Sequence, residues 1–484
     1  MAVSLDGSGP LTSCGRSGVH FPAVSLKWSR AALRRDVRLR PTLGICLVIA
    51  ISIANAINYG SYSLTGAVLL CFALVVAVST ASRALPGFPS NGTFILATAV
   101  LAVLSLTDSL GHFMGESVPF VASVLLLALG SLALFSERQW LRWSGLAVAV
   151  SADISVILSK IRWGRASIDV FTVLQSGSEH LLHGRNPYLL LYASTTPGQR
   201  FTPFPYGPGA LLLVIPGRLL GDVRASEILL MGLLVLAIAM IARRTVGTGH
   251  AWPLLALVLA CPFTTFMVIQ SWIEVASVTG VIVWLWLRDH SPSIAVCALG
   301  LGLASTFLGL PLVVFLFIWH RHLRHEIMAG VALAAAITLP FIVWTGPVRY
   351  VSDVLLTPLS VPWRRDALGV NAIWGHLAGA PLPWFVVAGV PALLLGIFLS
   401  RGRQSWPDDV MSASLLLLGA LLVAKFAFFN YYFIVAFGIF AALAGGYGLP
   451  ADALATLARD GGACTGPGND LAPHLVHHPW GTPE

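Results

Sequence analysis

Long uninterrupted apolar blocks are the feature that most limits what this chain can fold into. A helix needs about 20 consecutive apolar residues to cross the hydrocarbon core of a bilayer, and apolar blocks of similar length recur along most of the sequence. Only 10% of the 484 residues are charged, whereas soluble globular proteins contain about a quarter. The chain lacks the polar surface of a water-soluble fold. The sequence therefore predicts an all-α polytopic membrane protein with about 12 to 14 spans.

Fourteen blocks are candidate spans. Those at 293–306 and 308–320 are short and separated by a Gly-Leu-Pro break, so they form either two tilted spans or one re-entrant hairpin. The segment 206–220 is also apolar, but it is short and contains prolines and glycines, and we expect it to lie at the membrane interface. The remaining blocks are near residues 42–60, 63–82, 93–110, 118–136, 143–160, 224–242, 251–270, 272–288, 326–344, 383–400, 411–429 and 431–449.

Basic residues in the short loops predict the orientation of the chain. Cytoplasmic loops are enriched in Lys and Arg, and the net charge of +8 is interpreted as this topological signal rather than as a sign of nucleic-acid binding. The leader is strongly basic, and every second loop after it is basic as well. The arrangement places both termini in the cytoplasm and the long loops 160–223 and 345–382 outside. The basic loop residues are Arg83, Arg138, Arg142, Arg243, Arg244, Arg288, Arg321, Arg324, Arg401 and Arg403.

The first long external loop contains a compact set of features. Asp169 and Phe171 follow the fifth block, the run Gly184 to Tyr188 has the Gly, Asn and Pro residues of a turn, and the run Phe204 to Pro208 returns to an apolar segment. Turn residues favour a chain reversal, and aromatic residues favour the membrane interface. The pattern predicts a loop folded down onto the membrane, with interfacial helices and one carboxylate at its base.

In these motifs the chain resembles the GT-C superfamily of integral membrane glycosyltransferases, and within it family 87, the polyprenol-phosphate-mannose-dependent transferases of actinobacteria. That family has an external loop with an Asp, an aromatic residue, a Gly-x-x-Pro-Tyr turn and a Phe-x-Tyr-x-Pro segment. Here Asp169, Phe171, the run Gly184 to Tyr188, and Tyr206 with its neighbours match these features. More loosely, the likeness covers about residues 145 to 445.

The resemblance implies a division of the chain into four regions. Family members usually have one span before the acidic loop, whereas this chain has five, so the earlier spans are interpreted as an addition to a GT-C core. We expect a basic cytoplasmic tail, a four-span addition, the transmembrane core and a disordered cytoplasmic tail at residues 1–41, 42–143, 144–449 and 450–484.

The resemblance also implies a catalytic role for Asp169. As the catalytic base, it would take the proton from an acceptor sugar hydroxyl while that oxygen attacks the anomeric carbon of a lipid-phosphate sugar. The alternative is that Asp169 only caps the following helix, since Asp is a favoured N-cap residue. The departing donor phosphate needs basic groups facing it. The candidates are Arg364, Arg365, Arg165, Arg185 and His376, although Arg364 and Arg365 with Asp366 are also compatible with a surface ion pair.

Other polar residues near the predicted outer ends of the spans are interpreted as a pocket lining. Ionisable residues at membrane depth are costly and usually face a cavity. Glu274 is a candidate to bind a sugar hydroxyl or to act as a second acid, and Asp153, inside the fifth block, is expected to pair with a neighbouring polar side chain. The candidates for the sugar or acceptor pocket are Glu274, Gln270, Tyr188, Tyr206, Asn430 and Tyr431.

The expected activity is transfer of mannose, or another hexose or pentose, from a polyprenyl-phosphate donor to a glycolipid or cell-envelope glycan at the outer face of the cell membrane. No nucleotide-binding Gly-rich loop and no HExxH motif is present, so no metal site and no cofactor are predicted, and a divalent-cation requirement stays open. The expected partners are the lipid-linked donor, the acceptor and membrane lipids. Two alternatives remain: a secondary transporter or flippase of a lipid-linked saccharide, and a catalytically inactive homologue.

Overall fold

The computed structural model describes residues 118–163, 169–194, 201–261, 263–356, 367, 369–400, 405–425 and 427–447. These residues form sixteen α-helices and one short antiparallel ladder, in which Tyr192–Ala193 (β1) pairs with Phe201–Thr202 (β2). The predicted all-α architecture is thereby confirmed for the described part of the chain. Both predicted tails and the first three predicted spans of the addition lie outside the described residues.

The helices are numbered here along the described chain. They are α1 (Val118–Ala133), α2 (Gln139–Trp163), α3 (Asp169–Leu182), α4 (Pro208–Leu219), α5 (Arg224–Thr245), α6 (Gly247–Leu259), α7 (Phe263–Ile269), α8 (Glu274–Leu287), α9 (Pro292–Ser305), α10 (Leu310–Trp319), α11 (Arg324–Thr345), α12 (Pro347–Tyr350), α13 (Val370–Ala378), α14 (Trp384–Ser400), α15 (Trp406–Val423) and α16 (Phe429–Ala444). A π-helical turn, Val351–Leu356, follows α12.

Four helical segments among the described residues are long and apolar enough to cross a membrane, or up to six if each of two bent helix pairs counts as one span. Other apolar helices, among them α4, α8 and α14, are shorter. By length and composition the described residues therefore support fewer spans than the eleven blocks predicted for this part of the chain. The four long segments are Gln139–Ser159, Arg224–Thr245, Arg321–Thr345 and Trp406–Val423.

Two pairs of short helices are bent. The chain turns by 119° between Pro292–Ser305 and Phe307–Trp319, at Thr306, three residues before the predicted Gly-Leu-Pro break. The Thr306 hydroxyl accepts a hydrogen bond from the Leu308 amide at this turn. The two short helices form a hairpin instead of one straight span. The other pair, α6 and α7, replaces the predicted continuous span 251–270 with a 41° bend.

Helix α4 is the segment predicted to lie at the interface. Its 12 residues extend about 18 Å, well short of the roughly 30 Å hydrocarbon core of a bilayer. The Gly207 amide just before it donates to the Ser305 carbonyl oxygen at 3.0 Å, which fixes its start against the tip of the α9–α10 hairpin. A short helix fixed in this way positions the segment before it, which carries Tyr206.

The two ends of the helical bundle differ in chemistry. At one end an Arg244 nitrogen donates to the Trp286 carbonyl at 2.9 Å, and His320 contacts Asp409 at 2.8 Å, with both side chains buried. These residues lie in or beside loops predicted to be cytoplasmic. Asp169 lies at the opposite end, where α5, α8 and α16 begin. We call this the Asp169 end.

Helices α8 and α9 approach each other through glycines. A Cβ atom at Gly280 would lie 2.7 Å from the Cα of Gly302 and 2.5 Å from the carbonyl oxygen of Ala298. Small residues at an interface allow helix backbones to come close in membrane proteins, where van der Waals packing stabilises helix association. The α8–α9 contact therefore depends on the absence of a side chain at Gly280.

We expect Gly280→Ala to destabilise the protein by about 1–3 kcal/mol, because the added methyl group forces the two backbones apart. Gly232→Ala, on α5, is the matched control, since no atom lies within 4 Å of a Cβ placed there and alanine favours a helix by about 1 kcal/mol over glycine. Thermal unfolding of the purified protein in detergent compares them. Equal stability of the two variants would contradict the close α8–α9 packing.

Candidate active site

Asp169 is the first residue of α3, where the positive end of the helix dipole favours a carboxylate. The Ser194 hydroxyl donates to Asp169 Oδ2 at 3.2 Å. Ser194 follows β1, so the carboxylate contacts a segment outside its own helix. An N-cap carboxylate needs only contacts to amides of its own helix. The bond from Ser194 is an additional contact, and it holds the half-buried carboxylate near the aromatic loop.

Tyr206 lies within electrostatic reach of two carboxylates. Burial raises the pKa of Tyr206 well above its ordinary value, and the carboxylates of Glu274 and Asp169, followed by the Tyr431 hydroxyl, raise this pKa further. Neighbouring negative charge disfavours a phenolate, so the Tyr206 hydroxyl remains a hydrogen-bond donor. Four of the residues predicted for the site are thus brought together at the Asp169 end.

Glu274 begins α8 and is almost completely buried, with 3% of its surface exposed. The Asn430 side-chain amide donates to Glu274 Oε1 at 2.7 Å. Asn430 is the second residue of α16, so this bond joins the starts of two helices that are 156 residues apart in sequence. The two residues predicted for one pocket are therefore in direct contact.

Tyr188 packs beneath the segment that carries Tyr206. Its side chain is fully buried, its hydroxyl donates to the Tyr206 carbonyl oxygen at 2.9 Å, and its ring packs against Phe204 and Tyr350 at centroid distances of 5.1 and 5.0 Å. In this position Tyr188 holds the Tyr206 segment in place. The sequence predicted that Tyr188 lines a pocket. In the structure its side chain lies in the core beneath the loop.

The predicted turn at Gly184 is present, with a φ of +69° that favours glycine. Asn186 closes this turn by accepting the Tyr188 amide at 2.9 Å and donating to the Thr345 hydroxyl at 3.1 Å, which ties the loop to α11. The Arg185 side chain is exposed at the turn. No described contact joins Arg185 to Asp169, so the structure does not bring this candidate to the acidic group.

The remaining predicted residues divide between described and undescribed parts of the chain. Gln270 is buried just before the turn into α8, and Tyr431 is half-buried beside Asn430. The donor-phosphate candidates Arg165, Arg364 and Arg365 and the side chain of His376 lie outside the described residues. The phosphate site therefore stays a sequence prediction.

Two residues near the site were missed by the sequence analysis. Glu227, on the first turn of α5, is 2% exposed, and the Ser271 side chain lies within hydrogen-bonding reach of its carboxylate. The Arg224 guanidinium lies 4.4 Å from the centroid of the Phe171 ring and binds Asp222 at 2.6 Å. A charged residue inside an apolar helix was the available signal for Glu227.

Asp153 lies deeper in the bundle, on α2, and is buried. The Thr265 hydroxyl of α7 hydrogen-bonds to Asp153 Oδ1. The expected pairing of this acid with a neighbouring polar side chain is confirmed. Asp153 thus fixes α2 against α7.

Comparisons with known proteins return no match. No family model matches the sequence, no curated protein matches it, and no solved structure matches its fold. Function is therefore inferred from the residues of the site itself. Those residues offer a half-buried carboxylate able to accept a proton, a protonated tyrosine, and a buried carboxylate and carboxamide suited to binding hydroxyl groups.

The contact between Asn430 and Glu274 predicts non-additive stability effects. We expect Asn430→Leu to cost about 1–3 kcal/mol, because it leaves the Glu274 carboxylate buried without its donor. In the double variant with Glu274→Met the cost should be smaller than the sum of the two single changes, since no unpaired carboxylate remains. Unfolding midpoints of the four proteins in detergent give the coupling. Strictly additive costs would show that the two side chains do not interact.

Proposed function

We propose that the protein is a membrane glycosyltransferase that moves a sugar from a polyprenyl-phosphate donor to a glycolipid or cell-envelope glycan at the outer face of the membrane. The observation that supports this proposal is that Asp169 and Glu274 each accept a hydrogen bond from a polar neighbour and both lie within electrostatic reach of Tyr206. The two acids come from helices about a hundred positions apart in the printed sequence, yet both lie at one end of an apolar bundle. Acids gathered in this way are typical of functional sites.

The proposed reaction is a substitution at the anomeric carbon of the donor sugar. The acceptor hydroxyl oxygen forms the new glycosidic bond while the bond to the lipid phosphate oxygen breaks, and the phosphate leaves with the bonding electrons. Asp169 takes the hydroxyl proton. A positioned base of this kind contributes about 10²- to 10⁴-fold to the rate, and Ser194 holds the carboxylate in one orientation.

Glu274, Asn430 and Tyr206 are proposed to bind sugar hydroxyl groups near this base. Glu274 and Asn430 are already oriented by their mutual hydrogen bond, and Tyr206 is positioned by the bond from Tyr188 to its carbonyl oxygen. Polar groups fixed before the ligand arrives lose little freedom on binding. They would orient the sugar so that the acceptor oxygen faces Asp169.

Exposed aromatic side chains support a lipid-linked donor. Trp344 precedes Thr345, which is hydrogen-bonded to the loop at Asn186, and Trp384 and Phe385 lie at the start of α14. All three aromatic rings are exposed. Tryptophans concentrate at the membrane–water interface, which is the level at which a lipid phosphate lies.

The donor phosphate is proposed to meet Arg364 and Arg365. In sequence they lie between the π-helical turn at Val351–Leu356 and helix α13, within the second loop predicted to be external. Arginine binds phosphate oxygens through paired N–H groups, which makes it well suited to a departing phosphate.

We expect Asp169→Asn to lower sugar transfer by about 10²- to 10⁴-fold, because asparagine keeps the shape of the side chain but cannot accept the proton. Glu179→Gln is the matched control on the same helix. Glu179 is about half exposed and pairs with Arg218 at 3.0 Å, an ion pair that lowers the pKa of this carboxyl, so the control also removes one negative charge.

Both variants are purified in detergent and assayed with polyprenyl-phosphate-linked sugar and a membrane lipid extract as acceptor. The proposal predicts a wild-type rate for Glu179→Gln and near loss of product for Asp169→Asn, with unchanged unfolding temperatures. Transfer by Asp169→Asn at the wild-type rate would show that Asp169 is not the base.

A further inference from the structure

Ser271 has a backbone conformation that residues other than glycine rarely adopt. Its φ is +57°, and the other described residues with a positive φ are all glycines. This left-handed region is unfavourable for a residue with a Cβ atom, because the Cβ approaches the following carbonyl oxygen. Such strain persists only where the surrounding structure holds the residue in place. Ser271 is completely buried, so the interaction that stabilises it must come from a packed neighbour.

The strained residue lies in the turn between α7 and α8. The Trp272 amide donates to the Met267 carbonyl oxygen at 3.0 Å. The Ser271 amide donates to the Val268 carbonyl oxygen at 3.1 Å. These two bonds form a Schellman motif, in which glycine usually occupies the left-handed position. The Trp272 ring packs against Phe266 of α7 at a centroid distance of 5.4 Å. The turn is therefore closed, and its geometry depends on the φ of Ser271.

Glu227, on α5, is the neighbour that contacts the Ser271 side chain. Its carboxyl group lies within hydrogen-bonding reach of the Ser271 hydroxyl, and Glu227 is itself 2% exposed. About one turn further along the two helices, the Thr279 hydroxyl of α8 donates to the Leu230 carbonyl oxygen of α5 at 3.3 Å. The contact between Glu227 and Ser271 is thus part of the packing of α5 against α8, and it offsets the strain of the left-handed serine.

An ion pair with Arg224 is the alternative role for Glu227, because Arg224 is a cation that acts on this acid. The Arg224 guanidinium, however, already forms three hydrogen bonds to the Asp222 carboxylate, between 2.6 and 3.1 Å. It also lies 4.4 Å from the centroid of the Phe171 ring. Arg224 therefore has a carboxylate partner without Glu227, and the contact with Ser271 is the better account of why an acid is buried here.

The turn at Ser271 fixes the start of α8. Glu274 follows Ser271 by three residues. Helical bonding begins directly after the turn, since the Trp272 carbonyl oxygen accepts a hydrogen bond from the Val275 amide at 3.3 Å. A change in the φ of Ser271 therefore moves the first turn of α8, and with it the Glu274 carboxylate that accepts the bond from Asn430.

We propose that Glu227 is a positioning residue, which holds Ser271 in its left-handed conformation and thereby orients Glu274 toward Asn430 and the bound sugar. The part that concerns catalysis rests on the proposed function, in which Glu274 binds sugar hydroxyl groups. The part that concerns the turn does not, because the dependence of Ser271 on Glu227 is measured on the folded protein without substrate. A glycine at position 271 would need no such support.

The test compares variants of the full chain, purified in detergent, by thermal unfolding and by hydrogen exchange of residues 270–276. Ser271→Ala and Ser271→Gly both remove the hydroxyl, but only glycine adopts the left-handed conformation without strain. We expect Ser271→Ala to lower the unfolding temperature and to speed exchange in this segment about tenfold. Ser271→Gly should match the wild type in both measurements. Equal exchange rates in the two variants would overturn the inference.

Changes at Glu227 should reproduce this pattern. Glu227→Met removes both oxygens and should behave as Ser271→Ala does, whereas Glu227→Gln keeps an oxygen acceptor and should match the wild type. Adding Ser271→Gly to Glu227→Met should restore the unfolding temperature and the exchange rate, because glycine needs no partner. A double variant that exchanges as fast as Glu227→Met alone would overturn the inference. If Glu227→Met does not fold, a folded double variant supports the proposal and an unfolded one overturns it.

Sugar transfer by the folded variants gives the second readout. Glu227→Met should raise the KM for the acceptor at least about tenfold, because a hydrogen bond to the Glu274 carboxylate is lost, and the double variant should restore it. Loss of folded protein alone would lower the amount of product with an unchanged KM. An unchanged KM in folded Glu227→Met would overturn the orienting role toward Glu274. Absence of transfer by the wild type would instead contradict the proposed function, and the exchange rates would still decide whether Glu227 holds the turn.

Discussion

The hydrogen bond between Asn430 and Glu274 is the interaction on which the Asp169 end depends. It fixes a buried carboxylate at the start of α8 against the start of α16, at 2.7 Å. Tyr206 lies within electrostatic reach of both this carboxylate and Asp169. Acids are expensive inside an apolar bundle. At this end Glu274 and Asp169 each accept a hydrogen bond from a polar neighbour, which is the orientation that the proposed chemistry requires.

The helical framework explains how distant parts of the sequence reach this end. Helices α5, α8 and α16 all begin there, and Gly280 allows α8 to pack closely against α9. The tip of the α9–α10 hairpin in turn holds Gly207. The exposed Trp344 lies at this end as well, next to the Thr345 that is hydrogen-bonded to Asn186, and tryptophans favour the membrane interface. The apolar helix packing and the polar side chains of the candidate site are thus adjacent at the Asp169 end.

Much of this arrangement could be predicted from local pattern. Apolar block length predicted the helices, and turn residues predicted the reversal at Gly184, because both signals reside in neighbouring residues. Contacts between distant segments were harder. Glu227 is hidden within an apolar block, and its neighbour Ser271 is 44 positions later in the printed sequence. Tyr188 was assigned to a pocket because a sequence shows the type of residue but not the side on which it packs.

The direction that the Asp169 end faces is tested most directly by labelling single cysteines from one side of the membrane. The six native cysteines are replaced, and His183→Cys or Thr248→Cys is introduced at exposed positions at opposite ends of the bundle. We predict that a membrane-impermeant maleimide added to intact cells labels His183→Cys, and that Thr248→Cys reacts only after permeabilisation. Labelling of Thr248→Cys in intact cells, with His183→Cys protected, would place the acidic group in the cytoplasm and contradict an external transferase site.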